Sequence, residues 1–249
     1  MRAIALVDLD DTLFQTLRKC PPDVPQERLV PLGFARDGSP LSYATPRQLA
    51  LIAWLSETAW LVPVTARSRE ALMRAQIAFT AAVAAHGGVI LGEDGSPDQE
   101  WHAHVQRQAE ADRSTLDALR DRIAIEAEAR RADVRVRVLE EEGIGLYVLA
   151  KHQETDEAAL HATVDAVLGE VPERWTVHRN GNNVAIMPPW LGKQHAVRAL
   201  LPRLREAHPD APVIGIGDSL TDAPYMALCD YAMMPQGSQL ARAALEPLL

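Results

Sequence analysis

The sequence predicts an α/β protein built on a parallel sheet, with an α+β domain inserted into it. Short apolar runs end abruptly at Asp or Thr, helical patterns lie between those runs, and in the middle of the chain the strand pattern changes to alternation. A strand buried on both faces reads as a continuous apolar run, whereas a half-buried strand alternates. Strand, helix and strand in succession point to parallel pairing.

The first run, Ala3 to Val7, stops at Asp8. An amphipathic stretch from Pro46 to Glu57 follows, with Pro46 suited to a first helical position. It leads into a second run, Ala59 to Val64, that ends at Thr65. The third run, Val213 to Gly217, ends at Asp218, and the fourth, Tyr231 to Met234, ends at Pro235, with a helical pattern over Asp222 to Cys229 between them. Ligands of open α/β sheets bind beyond the carboxyl ends of the strands. Asp8, Thr65 and Asp218 stand at that edge.

From about His86 to Pro189 the pattern is different. Val134 to Val138 alternates apolar and charged residues, and Ile144 to Ala150 follows a turn at Glu140–Gly143. Trp175–His178 and Val184–Met187 form a second pair around Asn180-Gly181-Asn182-Asn183, and helical stretches run over His102–Arg131 and Thr155–Leu168. The expected division is a core of residues 1–85 and 190–249 and an inserted domain of residues 86–189. The alternative is a middle region that merely extends the main sheet. Phe14 to Ala44 is rich in Pro and polar residues, and its Asp37-Gly38 suggests a hairpin flap beside the end of the first strand.

At 249 residues the chain can form one large domain, or a core with a smaller insertion. A formal net charge of −9 gives no general attraction for nucleic acid or an anionic membrane. The only cysteines, Cys20 and Cys229, lie far apart, which argues against a disulfide framework or a zinc site and for a reducing compartment. The first residues meet acidic side chains too early for a secretory signal, and no apolar run approaches the ~20 residues that span a bilayer. The expected location is the cytoplasm.

Asp8 and Asp10 place two carboxylates on one strand-to-loop turn. Such a pair repels itself unless a cation or a proton lies between, so the turn is a Mg²⁺ site or an acid–base site, the bland alternative being an acidic helix cap. Together, Asp8-x-Asp10-x-Thr12, Thr65-Ala66-Arg67, Gly192-Lys193 and Gly217-Asp218-Ser219-Leu220-Thr221-Asp222 resemble, in the correct order, the four motifs of the haloacid-dehalogenase-like (HAD) hydrolase superfamily. The resemblance covers nearly the whole chain. It implies a Rossmann-like core with an inserted C2-type cap, and its nearest branch is the Cof-like and sucrose-phosphatase-like phosphatases.

That resemblance implies roles. Asp8 is the nucleophile, and Asp10 protonates the leaving oxygen and then takes a proton from water. Asp8, the Asp10 backbone carbonyl and Asp218 hold Mg²⁺. Thr65 and Lys193 hold the phosphoryl oxygens, and Asp222 supports the metal shell or orients Lys193. Taken singly, Thr65 is also an ordinary strand-end hydroxyl, Lys193 a surface lysine, and Asp218 and Asp222 helix caps. Asp11 and Ala66 stand where the family often has Gly, without removing a reacting atom.

Specificity is less legible. Asn180, Asn182 and Asn183 suit hydrogen bonds to hydroxyls, but Asn and Gly are equally favoured in turns. Trp101 is an aromatic face for a sugar or, more often for Trp, part of a core, and His102 and His104 read as surface residues. Arg67 and Arg69 approach a second anionic group or simply begin a solvated helix.

The expected activity is Mg²⁺-dependent hydrolysis of a small phosphomonoester, a sugar or polyol phosphate, through an aspartyl phosphate. The rival readings are a phosphotransferase or phosphomutase with the same nucleophile, and a catalytically silent binding module. Dehalogenase chemistry is disfavoured because it needs no metal. The sequence sets no oligomeric state.

Overall fold

A computed structural model describes residues 2–154 and 156–245, with Asn180 described by its backbone alone. Along the chain the strands are β1 (Ala3–Val7), β2 (Gln15–Thr16), β3 (Val30–Phe34), β4 (Pro40–Ala44), β5 (Ala59–Pro63), β6 (Ala81–Ala84), β7 (Val89–Gly92), β8 (Val134–Glu141), β9 (Ile144–His152), β10 (Thr176–Asn180), β11 (Asn183–Met187), β12 (Val213–Ile216) and β13 (Tyr231–Met233). The helices are α1 (Pro46–Thr58), α2 (Arg69–Met73), α3 (Gln99–Arg130), α4 (Glu157–Asp165), α5 (Lys193–Ala207), α6 (Ala223–Met226) and α7 (Gln239–Leu245). Two compact units result, Met1–His102 with Gly192–Leu249, and Ala103–Leu191. No helix among the described residues is long and apolar enough to cross a membrane.

The first unit holds a parallel sheet in the order β13-β12-β1-β5. β1 is paired on both sides, Val7 standing level with Ile216 of β12 and Pro63 of β5. Its residues Ile4 to Val7 are fully buried, which is why the run reads as uninterrupted apolar sequence. α1 starts at a capping box: the Gln48 amide donates to the Thr45 hydroxyl, and the Thr45 amide donates to the Gln48 side chain at 2.9 Å.

Two smaller sheets belong to this unit. β2, β4 and β3 form an antiparallel flap, with Gly38 at φ +80° in the β3–β4 turn. The hairpin was expected from Asp37-Gly38; the short strand β2 carries too little pattern to be read from sequence. β6 and β7 pair antiparallel from Ala81↔Gly92 to Ala84↔Val89, and the Thr65 amide donates to the Val83 carbonyl at 2.8 Å. The change of pattern near residue 86 is thus a hairpin inside the first unit, and the second unit begins at Ala103.

The second unit is an antiparallel sheet, β10-β11-β9-β8, packed on α3 and α4. Leu116, Leu119 and Ile123 of α3 meet Val148 and Ala150 of β9, Val184 and Ile186 of β11, and Leu160 and Val164 of α4. Val134, Val136 and Val138 of β8 pack against this core and alternate with exposed Arg135 and Arg137. The β8–β9 turn has left-handed Glu142 and Gly143 at φ +49° and +79°, which matches the twist of a two-residue hairpin. Thr155, which the sequence reading placed at the start of the second helical stretch, lies outside the described residues.

Candidate active site

The site grows from the sheet edge. The Asp8 amide donates to the Ile216 carbonyl at 2.8 Å and the Val64 amide to the Val7 carbonyl at 2.8 Å, so β1, β5 and β12 end side by side. Asp8, Thr65 and Asp218 each follow one of these ends. Parallel pairing makes all three chain directions agree, which concentrates the polar residues at one edge.

Lys193, the first residue of α5, reaches into this group. Its Nζ donates to Asp8 Oδ1 and to Asp222 Oδ1, both at 2.6 Å. Asp8, Lys193 and Asp222 are 5%, 6% and 0% exposed, so the pairs lie in low dielectric. The other Asp222 oxygen accepts from the Asp218 amide at 3.2 Å, the Ser219 amide at 3.0 Å and the Ser219 hydroxyl at 2.9 Å. Asp222 therefore shapes the loop that presents Asp218 and at the same time holds the lysine. Gly217 is required by this turn, since a Cβ there would stand 2.6 Å from Asp222 Cβ. Gly87, at φ +98°, lets its loop approach Gly192: a Cβ would lie 2.4 Å from the Gly192 carbonyl oxygen. Trp101 Nε1 donates to the Gly87 carbonyl at 2.9 Å, which fixes Trp101 as a buried packing residue.

Carboxylate oxygens of Asp8, Asp218 and Asp222 lie within 4.8 Å of one another. Three carboxylates against one ammonium leave two negative charges uncompensated, a deficit that a divalent cation balances. The donors are hard oxygens without His or Cys, the set that suits Mg²⁺. The expected metal ligands are the Asp8 and Asp218 carboxylates and the Asp10 backbone carbonyl; the Asp222 carboxylate joins the first two in the cluster, and the Asp10 carboxylate turns to Arg67.

Electrostatics carry the same message. Burial pushes the Asp8 carboxyl up to about 8, against the pull of Lys193 and with the repulsion of Asp222. Burial, Asp222 and Asp11 raise Asp218 to about 6. Burial opposes the Lys193 charge, but the Asp8 and Asp222 carboxylates hold its pKa above the ordinary value. Burial, followed by Asp222 and Asp8, keeps the Tyr225 phenol neutral, and its hydroxyl donates to the Ile216 carbonyl at 2.6 Å.

Arg67 does not approach an open anion site. Its Nε and Nη2 donate to the two Asp10 oxygens, both at 2.7 Å. Nη2 also donates to Ser42 Oγ at 3.0 Å, and the guanidinium lies 4.8 Å from the centre of the Phe14 ring. The Thr65 hydroxyl accepts from the Arg67 amide at 3.1 Å. Arg69 Nε donates to the Gly95 carbonyl at 3.1 Å. Asp11 pairs with Lys19 and sits at φ +63°, a conformation open to Gly and tolerated by Asp, which accounts for the departure from Gly there. The Thr12 hydroxyl faces Asp8 Oδ2 at 3.4 Å.

In the second unit, buried Asn182 exchanges hydrogen bonds with the His152 backbone, as the amide acceptor at 3.2 Å and as donor to the carbonyl. It is a turn anchor. Asn183 is exposed at the start of β11, and the Asn180 side chain lies outside the described residues. His104 is exposed and His102 half-buried.

No family model matches the sequence, and no curated protein matches it either. In three dimensions the chain is similar to sucrose-phosphatase from Synechocystis, solved with sucrose and phosphate, at 17% identity and a TM-score of 0.53 over 100% of this chain and 97% of that one. The likeness is one of fold. A trehalose-6-phosphate phosphatase related protein shares this fold at 18% identity and a TM-score of 0.51, over 95% of this chain and 88% of its own. The C-terminal domain of C. albicans trehalose-6-phosphate phosphatase shares it at 13% identity and 0.51, over 90% and 72%. In this chain Asp8, Asp218 and Lys193 are brought together by contacts that span much of the sequence.

Proposed function

We propose that the chain is a Mg²⁺-dependent phosphatase that hydrolyses a small phosphomonoester through an aspartyl phosphate on Asp8. The observation that carries the reading is the buried Lys193 ammonium between Asp8 and Asp222, beside Asp218, at the carboxyl ends of adjacent parallel strands. An Asp8 oxygen attacks phosphorus as the bond to the leaving oxygen breaks, and Asp10 gives that oxygen its proton. Water then attacks the phosphorus, its proton passes to Asp10, and the bond to Asp8 breaks to restore the carboxylate. Thr65 and Lys193 bind the phosphoryl oxygens, and Lys193 offsets their charge.

Asp8 and Asp218, with the Asp10 backbone carbonyl, would hold the metal, and Asp222 supports Asp218 and Lys193. When bound, Mg²⁺ supplies positive charge that lets a carboxylate and a phosphate dianion meet. A sugar or polyol phosphate is the assigned substrate class, supported by the motif set and by the fold shared with sucrose-phosphatase and trehalose-6-phosphate phosphatase. The second unit, inserted where a cap is expected, is assigned substrate selection.

The test is phosphate release from an aryl phosphate and a panel of sugar phosphates, with Mg²⁺ and with EDTA. Release that needs both Asp8 and Mg²⁺ supports the reading. Release that survives Asp8→Asn removes Asp8 as nucleophile, and absence of release from every substrate favours transfer to another acceptor or a silent module.

A further inference from the structure

Arg67 is the cation beside Asp10 that the proposed chemistry leaves without a task. Its side chain is 12% exposed, whereas that of Asp10 is 42% exposed. The guanidinium is therefore turned inward, and the carboxylate that it grips remains open to solvent. Two donors of one planar group meet both oxygens of one carboxylate, an arrangement that fixes the carboxylate plane as well as its position.

The fork is itself held from the flap. Ser42 of β4 accepts from Nη2 at 3.0 Å, and the Phe14 ring lies under the guanidinium at 4.8 Å. Gly33 of β3 makes room for the group: a Cβ there would lie 3.2 Å from Arg67 Nη1 and 3.1 Å from Ser42 Cβ. Residues from two strands of the flap thus converge on one arginine whose only carboxylate partner is Asp10 among the hydrogen bonds of the described residues.

We propose that Arg67, braced by Ser42 and Phe14, is the positioning residue that aims the Asp10 carboxylate at the leaving-group oxygen. The proposal rests on the phosphatase reading, in which Asp10 moves the proton. Each carboxylate oxygen has two lone pairs, and the fork uses one on each, so the exposed side of Asp10 keeps one on each oxygen for that proton. Lysine in place of Arg67 keeps a positive charge but offers a single point, which leaves the carboxylate free to rotate.

A misplaced general acid hurts poor leaving groups and spares good ones, whereas a merely structural loss lowers both together. The experiment therefore compares p-nitrophenyl, phenyl and benzyl phosphate, which are similar in shape, on kcat/KM, a quantity that ends at formation of the phosphoenzyme. Arg67→Lys is expected to lose on the order of 10²-fold on benzyl phosphate, the effect of a displacement of about 1 Å, and only a few-fold on p-nitrophenyl phosphate. Ser42→Ala is expected to lose several-fold in the same order and serves alone if Arg67→Lys does not fold. Hydrogen exchange of the amides over residues 30–44 reports on the flap independently of turnover. Equal losses on all three substrates, with or without faster flap exchange, overturn the proposal, as does no loss on any. If wild type releases no phosphate, the phosphatase reading falls; if wild type is active through Asp8 and the losses are equal, only the role of Arg67 falls.

Discussion

The two units use polar residues in opposite ways. In the first, parallel strands β1, β5 and β12 end together, and their terminal residues Asp8, Thr65 and Asp218 share one edge. In the second, strands of alternating direction put Arg135, Lys151 and Asn183 toward one end of an antiparallel sheet and Glu140 and Thr176 toward the other. Parallel topology concentrates chemistry, and antiparallel topology distributes it. The first arrangement is costly: buried carboxylates repel one another, and Lys193 offsets part of that repulsion. The second carries its polar groups on an ordinary hydrophobic core of Leu116, Ile123 and Val148.

The largest expected effect is at Asp8. Asp8→Asn lowers phosphatase activity on the order of 10³-fold or more. It also removes a carboxylate from a crowded, buried cluster, so thermal denaturation without metal shows a midpoint no lower than wild type. A large drop in the midpoint would mean that the cluster stabilises the first unit, against the contrast drawn above.

Next comes Lys193→Met, which leaves Asp8 and Asp222 without their shared ammonium. Breaking a buried pair in this way costs about 3–5 kcal/mol, read from urea unfolding. An unchanged midpoint would show that the pairs do not hold the site together.

The pH dependence follows from the same carboxylates. Their folded pKa values, about 6 for Asp218 and about 8 for Asp8, lie above the ordinary 3.8, so the folded state holds protons that the unfolded state has released. Their contribution is fully present below pH 3.8 and is lost as pH rises through about 6 and then about 8. Urea midpoints in EDTA should therefore fall across that window, and saturating Mg²⁺ should flatten the fall. A midpoint that rises with pH in EDTA would contradict the burial of unbalanced carboxylates.

The smallest effects separate two neighbours in the second unit. Asn182→Ala removes the partner of the buried His152 backbone and costs about 1–3 kcal/mol. Exposed Asn183→Ala changes stability by less than about 0.5 kcal/mol, and any effect falls on KM for sugar phosphates. Equal destabilisation by both would mean that the turn is not anchored through Asn182.

The apolar runs of β1, β5 and β12 and the residues that end them were legible because burial on both faces removes every polar residue until the sheet edge. The flap hairpin was legible from Asp37-Gly38, and the β8–β9 hairpin from alternation around Glu142-Gly143. The β6–β7 hairpin was not, since residues 81–92 are almost wholly apolar and a buried hairpin then has no alternation to show.

The amino-acid sequence by itself determined the strand ends, and with them the candidates Asp8, Asp10, Thr65 and Asp218, because local periodicity records which face of each element is buried; Lys193 and Asp222 became candidates through the resemblance to the HAD motifs. Only the tertiary structure decided which of these groups meet. Lys193 joins Asp8 across 185 residues and Arg67 joins Asp10 across 57, and separations of that length carry no periodic signal. It also decided that Asn182 anchors a turn and that Arg67 faces a carboxylate, since hydrogen-bond partners are chosen by the packing that brings strands and flap together.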